Sequence, residues 1–194
     1  MCDSVYLISF GIPSDGMTLS FQQVFLERSH FRCVRVIVQT LGRAKLSADM
    51  MRLRPATAAD AELLLEWRND PDTRKSSIET EKIKKVEHIS WLSSVLDSRD
   101  RQLLIAEEKG VAVGTIRADL SDGVYQLSWT VAPDARGRGL GKQMVAMVAR
   151  RITAPIGARV KSDNTSSVLI AEYAGMEFNQ ELDGLLYFSR PAQE

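Results

Sequence analysis

TVAPDARGRGLGKQMV, at residues 130–145, carries the plainest strand–turn–helix signature of the chain. The run VYQLSWTV, ending at Val131, has the composition of a strand, and Ala132-Pro133-Asp134 has that of a turn. Gly137, Gly139 and Gly141 then lead into a segment where Leu140, Met144, Met147, Val148 and Ile152 recur at helical spacing, over about 139–152. A helix entered in this way presents first-turn N–H groups that have no intrahelical acceptor, at the positive end of the helix dipole. Glycine permits positive φ and lets a ligand reach the backbone without a Cβ in the way. Arg136, Arg138 and Lys142 gather cations at the same point, so the segment has the makings of a pyrophosphate cradle. A glycine-rich surface turn with scattered arginines would show the same residues.

Two common phosphate motifs fail here. A nucleoside-triphosphate loop needs Gly, four residues, then Gly-Lys-Ser/Thr, but Gly141-Lys142 is followed by Gln143 and position 136 is Arg. A dinucleotide fingerprint needs G-x-G-x-x-G opening a parallel βαβ unit, whereas Gly137, Gly139 and Gly141 are spaced G-x-G-x-G after a meander.

Working outward, RQLLIAEE, VAVGTIRADL and VYQLSWTV predict three strands joined by tight turns at Lys109-Gly110 and Asp122-Gly123. Upstream, MRLRPA predicts a short strand ending at Pro55. Thr57 is placed to cap a helix running to about Asn69, with Asp60 as the capping-box acid and Pro71 as its stop. Ile83, Val86, Ile89 and Leu92 predict a second helix over about 81–96. Downstream, a strand at 156–161, a helix at 165–175 and two strands near 176–180 and 184–189 are expected. Strands alternating with amphipathic helices make an α/β domain of residues 51–194. Residues 1–50 lack that rhythm: CVRVIVQ at 33–39 suggests a strand and 20–28 a helix, and the segment is expected to be a peripheral or poorly ordered extension.

The chain has 194 residues, 44% of them hydrophobic, with 25 Lys+Arg balanced by 25 Asp+Glu, which suits one globular domain with a full core. Zero formal charge gives no global reason to bind nucleic acid or an anionic membrane, so any anion site must be local. No stretch approaches the ~20 apolar residues of a membrane span, and MCDSVYLISFG lacks the basic start of a signal peptide, so a cytoplasmic protein is expected. Cys2, Cys33, His30 and His88 do not provide metal-ligand spacing, and no metal is expected.

Arg136-x-x-Gly139-x-Gly141 after a strand, then a helix, a strand, and Asn164 with a helix ending in Gly175-Met176-Glu177-Phe178, resembles the GNAT superfamily of acetyl-CoA-dependent N-acetyltransferases over residues 51 to about 190. That resemblance implies a mixed, mostly antiparallel sheet of six or seven strands flanked by about four helices, with a V-shaped splay between the two central strands. It also implies acetyl-CoA as cosubstrate, its diphosphate on Arg136, Gly137, Arg138, Gly139, Leu140, Gly141 and Lys142. Asn164 and Ser167 would lie nearby, and the main chain of Thr130 and Val131 would bind pantetheine in the splay. The amine would attack the thioester directly.

Where the family often has a Tyr, seven residues after the matching Asn, this chain has Ala171. Tyr173 falls about 200° round the helix and is expected to pair with Leu169 in the core, leaving Ser167 as the alternative proton relay. Where relatives carry a strand Glu, this chain has Gln126, which cannot take up a proton but can orient an amine, and His88 is the titratable alternative. Glu66-Trp67-Arg68-Asn69-Asp70-Pro71 and Glu87-His88-Ile89-Ser90-Trp91-Leu92 are similar to segments of the enzymes that acetylate UDP-linked amino-deoxysugars in nonulosonic acid pathways. Trp67 would then be an apolar platform, Arg68 a diphosphate partner, and Asn69 and His88 acceptor contacts, with Trp91 in the core. Protein N-terminal acetylation on the same fold and a non-catalytic acyl-CoA-binding module are the alternatives, and a monomer or homodimer is expected.

Overall fold

The structure is a computed structural model that describes residues 23–27, 35–39 and 51–193. The chain divides into two units, Met1–Ala48 and Asp49–Glu194. In the first, β1 (Gln23–Glu27) and β2 (Arg35–Gln39) pair antiparallel, with Gln23 opposite Gln39 and Glu27 opposite Arg35. The strand expected at 33–39 is β2, but the segment expected as a helix at 20–28 holds a strand. Val24 and Phe25 suit a strand, and a short helix without tertiary support is marginal beside a paired ladder. The expected peripheral character of residues 1–50, and Cys2, His30 and Cys33, lie outside the described residues.

The second unit begins with β3 (Arg52–Pro55), a 3-10 turn at Ala58–Asp60, α1 (Ala61–Asn69), α2 (Pro71–Ser76) and α3 (Lys85–Leu96). The meander β4 (Arg101–Glu108), β5 (Val111–Ser121) and β6 (Val124–Val131) leads through a 3-10 turn at Pro133–Ala135 to α4 (Leu140–Ala149). Then come β7 (Ile156–Lys161), α5 (Thr165–Tyr173), β8 (Glu177–Leu182) and β9 (Leu185–Arg190). Seven strands form one sheet in the order β3-β4-β5-β6-β7-β9-β8, antiparallel throughout except between β6 and β7. Both meander turns are tight hairpins with positive φ at Lys109-Gly110 and Asp122-Gly123, and Asp183-Gly184 makes a third. Among the described residues no helix is long and apolar enough to cross a membrane.

Two helices differ from expectation. Pro71 does not simply stop α1: it is the first residue of α2, where its missing N–H costs nothing, and Asp70 caps that helix by accepting from the Thr73 N–H at 2.9 Å. α3 starts at Lys85 and turns His88, Leu92 and Val95 inward, leaving Val86 80% and Ile89 46% exposed. The apolar spacing pointed to the wrong face because a buried histidine, invisible to a hydrophobic count, completes the inward stripe.

The pleat sorts side chains onto two faces. A Cβ on Gly114 would fall 3.3 Å from Met144 Sδ, so Gly114, Ile116 and Ala118 of β5 face α4, as do their β6 partners Val131, Trp129 and Leu127. In β7, Ile156, Ala158 and Val160 are buried while Arg159 is exposed. The opposite face carries Arg117, with Trp91 of α3 5.6 Å from its guanidinium, and next to it Ser128 and Gln126 of β6. Buried Arg190 holds the far end of α4, donating to the carbonyls of Ala149 (2.8 Å) and Ile152 (2.5 Å).

Candidate active site

β6 and β7 touch only at their beginnings. Tyr125 faces Ile156 and Gln126 faces Gly157, and no rung follows over the rest of either strand. Tyr125 N–H donates to Pro155 O on the β7 side, and Ala132 N–H donates to Val113 O on the β5 side, each at 2.9 Å. Alternation along the strand then turns the main chain of odd residues towards β7 and that of even residues towards β5. Trp129 and Val131 therefore present N–H and C=O groups to the open gap. Thr130, expected to do so, is paired with Thr115 of β5 instead, and Trp129 takes the place assigned to it.

At the mouth of the gap lies the glycine segment. Gly137 and Gly139 have φ of 73° and 76°, and a Cβ on either would meet nothing within 4 Å. Gly139 is the N-cap of α4 and lacks a side chain to satisfy the first-turn amides, and that turn contains no acidic residue. The cradle is open, uncapped and fit for an anion. Gly141 has a different reason: a Cβ there would lie 2.7 Å from Ile170 Cδ1 and 3.0 Å from Val131 Cγ2, so its role is the close packing of α4 on α5 and β6. Leu140 is likewise buried in the core, leaving its main chain for the cradle.

The cations of the cradle are unequally available. Arg136 donates to Thr73 Oγ1 at 2.8 Å and pairs with Asp70 and with Asp72 (3.2 Å), so its guanidinium is turned to α2 rather than to the amides. Burial opposes ionisation of Asp70, but Arg136 and the Thr73 N–H outweigh it and hold the carboxyl below its usual range. Arg138 pairs with Glu108. Lys142 Nζ lies 5.8 Å from the ring centroid of Tyr173. Tyr173 is 56% exposed and Leu169 46%, so this pair lies on the surface, not in the expected core, because α5 buries Ile170 and Ala171 instead.

On the other side of the mouth, Asn164 caps α5 by accepting from Ser167 N–H at 3.1 Å and donates to Ser76 O at 3.3 Å, while Lys161 Nζ donates to Lys75 O at 2.9 Å. α2 is thus pinned at its first turn by Arg136, beyond β6, and at its end by Lys161 and Asn164, beyond β7. It spans the splay from lip to lip. Ser167 is half-buried in the first turn of α5.

The expected acceptor residues are mostly engaged elsewhere. Trp67 is 5% exposed and belongs to the core, so it offers no platform. Asn69 uses both halves of its amide on Ile83, donating to its carbonyl at 2.9 Å and accepting from its N–H at 2.8 Å. Arg68 donates to Glu79 O at 2.7 Å, and burial lowers its pKa. His88 is 3% exposed, hydrogen-bonded to the Ala61 backbone and 5.4 Å from the Trp91 ring, and burial lowers its pKa; it is closed off from any acceptor. These four residues organise the α1–α3 segment. Trp91, expected in the core, is partly buried against it. Gln126 is exposed and its amide lies over Gly157 at the vertex of the V, where a Cβ would come within 2.9 Å of Nε2. Ser128 and Arg159 are exposed beside Gln126, and the outward direction of Arg159 was readable in the apolar-polar alternation of IGARVK.

The model of the acetyltransferase (GNAT) domain matches residues 51–177. No match was found among curated proteins. Among solved structures, the chain is similar to a GNAT superfamily phosphinothricin acetyltransferase from Sinorhizobium meliloti in complex with acetyl-CoA (19% identity over 74% of this chain and 89% of that one, TM-score 0.62). It is also similar to spermidine N-acetyltransferase from Vibrio cholerae in complex with CoA and spermine (12%, 72% and 92%, TM-score 0.64). A third is ribosomal-protein-alanine N-acetyltransferase from Brucella melitensis (22%, 72% and 99%, TM-score 0.60). These likenesses support the fold, and the family match runs over more than half of the chain, from β3 through the cradle to the first residue of β8. By its splayed strands, its glycine cradle and that match, the chain belongs to the GNAT acetyltransferase family.

Proposed function

We propose that the protein moves the acetyl group of acetyl-CoA to a small amine by direct attack of the amine: the C–N bond forms, the thioester C–S bond breaks, and CoA leaves as a thiol carrying the proton that the amine gives up. The observation that carries this reading is the unpaired gap between β6 and β7 opening onto an uncapped, glycine-lined helix start. Acetyl-CoA supplies an acyl group already activated as a thioester. Main-chain amides from Gly137 to Gly141, with Arg138 and Lys142 beside them, would hold its diphosphate. Trp129 and Val131 would hydrogen-bond the amide-containing arm as an added strand, and an N–H in that position also donates to an oxygen on which negative charge develops. Gln126 and Ser128 orient the amine. Gln126 takes up no proton, so the amine must arrive neutral, which suits acceptors of low pKa such as amino sugars.

A UDP-linked amino-deoxysugar is the acceptor class suggested by the Glu66–Pro71 and Glu87–Leu92 segments. Since Trp67, Asn69 and His88 are occupied within the fold, selection of such an acceptor would fall to the exposed face of β6 and β7. A cytoplasmic monomer or homodimer completes the proposal. Calorimetric titration with acetyl-CoA, followed by thiol release over an amine panel, tests it. Gly139→Asp should abolish binding by placing a carboxylate in the cradle, and unchanged affinity would reject the cradle.

A further inference from the structure

We infer that Arg159 selects an acceptor bearing an anionic group, a carboxylate or a phosphate, near its amine; this rests on the acetyltransferase reading of the gap. An amine has one way to a thioester lodged between β6 and β7. α4 and α5 close one face, where Leu127, Ala158 and Val160 are buried and Gly141 fits so tightly against Val131 and Ile170 that even a methyl is excluded. The other face presents Gln126, Ser128 and Arg159, all exposed.

Register puts these groups together. Gln126 lies opposite Gly157 at the vertex, and two residues further along each strand Ser128 and Arg159 flank the widening gap on the same face. Arg159 sits on a strand with neighbours on both sides, opposite Tyr187 of β9, where a helix would ordinarily cover the sheet. Arg54, Arg117, Arg136 and Arg138 are each matched to a carboxylate. Among the described residues none lies within ion-pair distance of Arg159. Asp119, the carboxylate of that face opposite Gln126, is turned to Arg117 at 2.8 Å. Glu177, two strands away opposite Ser189, is the next carboxylate of that side and forms no ion pair with Arg159, so an unpaired guanidinium stands beside the gap, in the planar, forked form that grips carboxylate and phosphate with two hydrogen bonds.

The test uses the full chain, acetyl-CoA and matched acceptors: L-tyrosine with tyramine, glucosamine 6-phosphate with glucosamine, and a UDP-linked 4-amino-4,6-dideoxysugar with its free sugar. In at least one pair the anionic member should have a kcat/KM about 10- to 100-fold higher, the range expected of a charge-assisted contact. The pair that shows it distinguishes carboxylate from phosphate. Arg159→Gln should bring the ratio close to one, mainly through KM, Arg159→Lys should recover part of it, and the acetyl-CoA Kd should stay within twofold in both. With acetyl-CoA bound normally, absence of any preference, or a preference that survives Arg159→Gln, overturns the assignment. So does a loss of acetyl-CoA affinity in Arg159→Gln, which would make Arg159 a donor-side ligand. Failure of the wild-type chain to bind acetyl-CoA overturns the transferase reading instead.

Discussion

Asp60 accepts from Arg54 at 2.7 and 2.9 Å and from the N–H and hydroxyl of Thr57 at 2.8 and 3.0 Å, while Arg54 reaches on to Glu107 at 2.6 Å. Arg54 is the main cause that lowers the Asp60 pKa from 3.8 to about 2, against the opposing effect of burial. A carboxyl whose folded pKa is depressed adds stability above its unfolded pKa and loses it as pH falls through the folded one. Asp60→Asn should thus cost about 1–2 kcal/mol near neutrality, discounted for solvent screening, with the difference fading as pH drops from 3.8 towards 2. Urea unfolding at several pH values checks this. His88 has a different chemistry: burial keeps it neutral, so protonation is disfavoured in the fold. His88→Gln should lower stability yet leave the acid limb of the turnover-pH profile in place, and a shift of that limb would restore His88 as a base. The capping acid Asp60 was legible from Thr57-x-x-Asp60, but the continuation of its pair with Arg54 to Glu107 was not, because Arg54 and Glu107 come from different strands.

At the scale of elements, α2 ties the two lips of the splay. The RGRGLGK run showed where phosphate would sit, yet nothing local to it says that Arg136 leaves the cradle for Asp70, Asp72 and Thr73, more than sixty residues earlier. Arg136→Ala should therefore free the first turn of α2. Faster amide exchange across 70–77 and a several-fold higher acceptor KM are expected, with acetyl-CoA affinity within about threefold of wild type. A tenfold or greater loss of acetyl-CoA affinity would show that the guanidinium moves from α2 to the diphosphate. Gly141→Ala probes the packed side of α4: its methyl meets Ile170 and Val131, and a loss of about 1–3 kcal/mol in thermal or urea unfolding is expected from overpacking.

At the scale of the whole molecule, contacts divide the chain at Ala48/Asp49 and the family match begins at residue 51. A chain of residues 51–194 should fold and bind acetyl-CoA as the full chain does; an insoluble or non-binding product would make the first fifty residues integral. The succession of strands along residues 51–194, the tight hairpins at Lys109-Gly110 and Asp122-Gly123, and the glycine entry to α4 were all set by the sequence, because each depends on turn chemistry or periodicity within a dozen residues. Trp67, Asn69 and His88 looked the same on paper whether they faced a ligand or their own backbone, and only the packing of α1 against α3 assigned them to the interior. The parity that turns Trp129 rather than Thr130 to the gap, the strap across its mouth and the placing of Arg159 beside Gln126 and Ser128 likewise emerged only from tertiary structure, since each is a relation between segments tens of residues apart.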